Sequence, residues 1–146
     1  IPPAWDDQTV VMVNYQHGAL TCCEAAQVQA LLAPQVGENT KKISGTVVEQ
    51  LSQDDTIRWG YSLGREQRFE VLSLAVCAGD VVAVLQHQQG RRAQPEWSVA
   101  AWETETGKPR FQHRFSNEPL PGGLLVDHDG RVVVVMLDGS VLCYGS

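Results

Sequence analysis

Trp97–Ser146 reads WSVAAWETETGKPRFQHRFSNEPLPGGLLVDHDGRVVVVMLDGSVLCYGS, and this stretch decides the fold. Its apolar runs are short and rich in β-branched and aromatic residues. They are separated by turn sequences built on glycine: Thr106-Gly107-Lys108, Asp129-Gly130-Arg131 and Asp138-Gly139-Ser140. Runs of this length, bounded by such turns, are strands joined as hairpins. The stretch reads as four short strands, one of them closed by the pair Trp102-Glu103.

The same pattern recurs upstream. Thr9–Tyr15, a turn at Gln16-His17-Gly18 and the return Ala19–Cys23 form a hairpin that lies against the C-terminal one, with Gly18 on Gly139 and Val11 on Val132, 121 residues apart. Residues 45–51 and 56–63 read as a second hairpin. Glu49–Gly64 lies on Ala101–Ser116 at a spacing of 52, which places Trp59 on Phe111 and Leu63 on Phe115. Glu70–Cys77 and Val81–Gln86, joined by a turn at Ala78-Gly79-Asp80, match the stretch from Pro121 at a spacing of 51, with Asp80 on Arg131 and Val82 on Val133. Between these copies, EAAQVQALLA (24–33) reads as a few helical turns ended by Pro34 and Gly37, followed by an exposed GENTKK loop; the alternative is an outer strand over Val28–Ala33. The period is therefore about 51 residues with four strands in each, the signature of a β-propeller blade.

Two families share these residues. Ser98–Glu103 resembles the strand of a WD40 repeat that ends in Trp-Asp, with Glu103 in the place of the aspartate. Thr104–Phe111 equally resembles the Ala-x-Asp-x-x-Thr-Gly-Lys-x-x-Trp motif of quinoprotein-like propellers, filled here by Ala101, Glu103, Thr106, Gly107 and Phe111. No Gly-His dipeptide opens the unit, and Asp55 stands where Gly107 would sit in the upstream copy. The resemblance implies an all-β fold of antiparallel four-stranded blades, with the motif serving as a tight turn and an inter-blade aromatic contact; it implies no activity.

At this period 146 residues make about two to three blades, fewer than the four to eight that close a propeller. The organisation expected is an incomplete propeller forming the C-terminal part of a larger one: a partial blade at 4–24, an insertion at 25–45, and blades within 46–116 and 117–146. The last blade lacks a fourth strand after Cys143-Tyr144.

Composition narrows the function classes. A formal charge of −6 argues against nucleic-acid or anionic-membrane partners, which select basic patches. The longest apolar run, Val132–Leu137, is strand-length, so no membrane helix is expected. Cys22, Cys23, Cys77 and Cys143 sit in strand-like runs; adjacent Cys22 and Cys23 point to opposite faces of a strand and do not bond each other. They read as small buried hydrophobes of a reducing compartment, cytoplasmic or nuclear.

No catalytic constellation stands out, so a non-enzymatic protein with no cofactor and no metal is expected. Asp127-His128-Asp129-Gly130 opens like a calcium loop, with Asp138 at its twelfth place, but Arg131 occupies the fifth and a strand follows. His17 and His87 align with Asp138 and read as solvent-facing turn residues. Asp54 and Asp55 are adjacent carboxylates in a polar turn. Trp59 and Trp102 read as core, and Trp5 and Trp97 as strand entrances. The best contact surface is the loop from His87 to Glu96: His87, Arg91, Arg92 and Trp97 combine arginine and aromatic chemistry typical of interfaces. The expected function is a protein–protein interaction scaffold whose partners are other proteins or the remaining blades. The alternatives are a fragment of a quinoprotein-type dehydrogenase, or a self-assembling partial propeller.

Overall fold

The computed structural model describes residues 1–14, 18–33, 57–63, 68–77, 79–90 and 92–145. The fold is mostly β. Its elements are β1 Ala4–Trp5, β2 Thr9–Asn14, β3 Ala19–Glu24, α1 Ala25–Leu32, β4 Ile57–Ser62, β5 Arg68–Cys77, β6 Asp80–Gln88, β7 Glu96–Glu103, β8 Pro109–Phe115, β9 Pro119–Val126, β10 Val132–Met136 and β11 Val141–Tyr144. They form three antiparallel sheets: β1-β2-β3-β4, β5-β6-β7-β8 and β9-β10-β11. Among the described residues every neighbour in a sheet is also the next strand in sequence, and glycine-bearing turns join most of them; Gly79, Gly107, Gly130 and Gly139 all take positive φ.

Trp97–Ser146 therefore holds most or all of five strands and not four. It straddles two sheets: β7 and β8 finish the middle sheet, and β9 to β11 make the last one. A turn and a sheet boundary leave the same polar punctuation in sequence, and Ser116-Asn117-Glu118 is such a boundary. Ile57–Ser62 pairs with β3, closing the first sheet across the intervening segment; residues 45–51, its expected hairpin partner, lie outside the described residues. The helical reading of 24–33 holds, and the alternative outer strand is not formed.

Strand alternation explains how the sheets stack. On β6, Val81, Ala83 and Leu85 face the first sheet, where they share a core with Val11, Leu20, Cys22 and Leu63. Val82 and Val84 face the other way and pack with Val132, Val134 and Met136 of the last sheet. β7 divides likewise, with Ala100 and Trp102 on one side and Val99 and Ala101 on the other. The middle sheet is thus covered on both faces, which is why its central strands β6 and β7 carry near-continuous apolar runs. The first sheet's far face is covered by α1: Val28 and Leu31 pack on Val10, Met12, Cys23 and Ile57. Cys22 and Cys23 do point to opposite faces, and all four cysteines are free thiols.

The two sheet junctions repeat one another. Trp59, opposite Cys22 on β4, packs toward the middle sheet; Phe111, opposite Ala101 on β8, packs toward the last. Tyr61 of β4 meets Trp102 of β7 with ring centroids 5.0 Å apart, and His113 of β8 stacks on Tyr144 of β11 at 4.9 Å. The pairing of Trp59 with Phe111 and of Leu63 with Phe115 read from sequence matches these positions. The 121-residue spacing holds for β3 with β11, where Leu20 matches Val141 and Cys22 matches Cys143. It slips by one for β2 with β10, because the connecting turns differ by a residue: Val11, which faces away from α1, corresponds to Val133 and not to Val132. A one-residue slip exchanges the faces of a strand.

Candidate functional site

A cleft of about 1090 Å³ opens where β6 ends and β7 begins, and His87, Gln94, Glu96, Trp97, Arg114 and Phe115 are among its lining residues. His87 lies within β6, opposite Phe69 on one neighbour and Glu96 on the other, and so is a strand residue and not the turn residue its alignment with Asp138 implied. Its Nε2 is 2.8 Å from the Ser98 hydroxyl, and its ring meets Phe69 edge-on at 4.3 Å. Ser98 is fully buried and also accepts from Gln112 Nε2 at 3.2 Å. Burial, with help from the Arg114 charge, pulls the His87 pKa below its ordinary value near 6.5; Glu96 opposes this more weakly. The imidazole is therefore neutral at pH 7.

A serine and histidine in hydrogen-bond contact invite comparison with a nucleophile and its base. The geometry argues for a structural pair: Ser98 has no exposed surface from which to reach a substrate. Trp97 lies beside Phe115 across β7 and β8, half-buried, with its indole nitrogen buried and without a hydrogen-bond partner among the described residues. Arg92 is exposed and does not line the cleft; Arg91 lies outside the described residues. Of the four residues singled out in the sequence, the cleft unites His87 and Trp97. Among the described residues the cation that lines it is Arg114, which meets Glu96 at 3.5 Å on the open surface.

A second, polar cleft of about 640 Å³ lies at the other end of the junction between the first two sheets. Thr104 and Glu105, from the turn between β7 and β8, are among the residues that line it. The Thr104 carbonyl accepts from Trp59 Nε1 at 2.7 Å, from Arg58 at 3.5 Å and from the Cys22 thiol at 3.5 Å. Arg110 bridges Asp80 at 3.2 Å and Glu103 at 3.4 Å. The Thr106 hydroxyl donates to Glu103 at 2.6 Å and holds that carboxyl below its usual range. Polar groups here satisfy one another and lock the sheets together. Asp127, His128 and Asp129 bring their ligand atoms within 4.8 Å of one another. Arg131 pairs with both carboxylates, with Nε 2.8 Å from Asp127 and Nη2 on Asp129.

The surface that sequence reading missed is on the last sheet. Val132, Val134 and Met136 are buried against the middle sheet. The opposite side carries Leu125, Val133, Val135, Val141 and Cys143, brought together by the pairs Leu125–Val133, Val133–Cys143 and Val135–Val141. Leu125 is 57% and Val141 56% exposed, and Cys143 is exposed. On the middle sheet the corresponding side, with Val82 and Ala101, is covered. The signal was present in VVVVM: a strand apolar at every position is built to be buried on both faces.

Comparison with family models, with curated proteins and with solved structures gives no match for this chain. Among the described residues, no helix is long and apolar enough to cross a membrane.

Proposed function

We propose that the chain is a segment of a propeller-like stack of β-sheets and works as a non-enzymatic scaffold for protein–protein contact within a larger protein or complex. One observation carries this reading. The last sheet repeats the first three strands of the middle sheet, down to the aromatic pairs Tyr61–Trp102 and His113–Tyr144 at the two junctions, yet leaves open the apolar face that its counterpart buries. An apolar face on an exposed sheet marks a contact surface. The other end of the stack is closed by α1, as terminal units of repeat structures are. The two outer sides of the stack therefore differ among the described residues: α1 packs on one, and the other is open.

Alkylation of Cys143 tests this. The thiol lies on the open face, and Cys22 and Cys23 are buried with pKa values pushed up to about 11 by burial, so they react slowly. Cys143 is expected to react quickly in the purified chain and much more slowly in a native extract. Equal rates in the two would overturn the proposal.

A further inference from the structure

The open face adjoins an open strand edge, and the repeat says what each should receive. The first two sheets have a fourth strand beyond the third; the last sheet has none, so β11 is an edge among the described residues. β4 places Trp59 opposite Cys22 and Tyr61 opposite Leu20, and the Leu63 amide bonds the Gly18 carbonyl at 2.7 Å. β8 places Phe111 opposite Ala101, His113 opposite Val99 and Phe115 opposite Trp97. Both strands thus show ring, any residue, ring, any residue, apolar, with the named positions turned toward the next sheet. Each runs beside a third strand that offers a small side chain, Cys22 or Ala101, to the first ring. On β11 that small side chain is Cys143, followed by Val141 and, at the turn, Gly139.

The backbone of β11 is set for the same pairing. The Met136 amide bonds the Ser140 carbonyl at 2.9 Å, so Ser140, and by alternation Leu142 and Tyr144, direct their amide and carbonyl groups toward β10. Val141 and Cys143 direct theirs outward, to the free edge.

We infer that β11 is completed by an extended segment from outside these 146 residues, antiparallel to it, with one ring opposite Cys143, a second opposite Val141 and an apolar residue opposite Gly139. This is strand addition at a sheet edge, in which backbone hydrogen bonds supply affinity and alternate side chains supply choice. The inference rests on the scaffold reading above and names its partner. Residues 34–56 contain no aromatic residue, and β4 and β8, which carry the pattern, are already paired.

The probe is a fluorescently labelled peptide of the sequence TIRWGYSL, which is residues 56–63 and carries the pattern. Its anisotropy is followed as the 146-residue protein is added, beside a rearranged peptide, TIRGWYLS, that breaks the alternation. The intact pattern is expected to bind saturably and at least about tenfold more tightly than the rearranged one, a difference of about 1.4 kcal/mol. Cys143→Pro removes an outward amide and is expected to abolish binding while circular dichroism stays unchanged. Val141→Lys keeps the backbone and places a charge under the second ring; it is expected to weaken binding as well, and it serves if the proline variant fails to fold. Equal binding of the two peptides, or binding that survives both substitutions, overturns the inference. Concentration-dependent dimerisation of the protein that excludes the peptide overturns it in favour of a second copy. If the peptide fails while Cys143 is still shielded in native extract, the edge assignment is wrong and the scaffold reading stands; if Cys143 is not shielded, the scaffold reading fails.

Discussion

Gly107 sits where the turn of one sheet meets the tryptophan of another, and replacing it by alanine measures that junction. Its φ of +69° lies in the left-handed region, and a Cβ added there would come within 2.7 Å of Trp59 Cδ2 and 2.8 Å of Cγ. Real Cβ atoms do not approach that closely, so the indole must move. The left-handed backbone costs an alanine roughly 1 to 2 kcal/mol. Moving the indole breaks the 2.7 Å bond from its nitrogen to the Thr104 carbonyl, worth about 1 kcal/mol, and opens packing between the first two sheets. Gly107→Ala should therefore cost about 3 kcal/mol. Gly139→Ala is the control: its φ is +83°, and nothing lies within 4 Å of the added carbon, so only the backbone cost of roughly 1 to 2 kcal/mol applies. Urea unfolding of both variants, followed by tryptophan fluorescence and circular dichroism, gives the comparison. If Gly107→Ala costs no more than Gly139→Ala, Trp59 does not seat on this turn and the description of the junction is wrong.

Two further predictions concern other parts of the stack. The folded-state pKa of His87 lies below its ordinary value near 6.5, so the unfolded chain binds more protons as pH falls. Stability is then full above that ordinary value and declines below it until the folded pKa is reached. Unfolding free energies measured between pH 8 and pH 5 should show this decline in the native protein and a shallower one in His87→Gln; parallel profiles would exclude His87 as the source. The stacked rings of His113 and Tyr144 should show a coupling of about 0.5 to 1.5 kcal/mol in a double-mutant cycle to alanine. A coupling of zero would mean that the rings are neighbours without mutual stabilisation.

Much of this architecture is written locally. Glycines at hairpin turns, and the change from polar to β-branched residues on either side, place β2, β3, β5, β6, β10 and β11 without reference to tertiary contacts. The match of Trp59 with Phe111 was also visible, since both occupy one place in a repeated alternation. Other features depend on the third dimension. β4 follows α1 and a long intervening segment, and only its pairing with Cys22 shows which sheet it completes. The one-residue slip between β2 and β10 reverses faces, and a run of valines carries no mark of which face is which. The candidate site was the least legible. Arg92 is close to Trp97 in sequence but does not line the cleft, whereas Arg114 reaches it through the β7–β8 pairing. The role of Ser98 as the hydroxyl that His87 and Gln112 share depends on the register of three strands.

The central claim is that the face bearing Leu125, Val141 and Cys143 is open in the chain alone and covered where the protein works. Alkylation followed by mass spectrometry of the cysteine-containing peptides tests it directly, with buried Cys22 as the reference within each sample. The ratio of Cys143 to Cys22 labelling is predicted to be high in the purified chain and to fall at least about tenfold in native extract, which corresponds to about 1.4 kcal/mol of protection. An unchanged ratio would contradict the account.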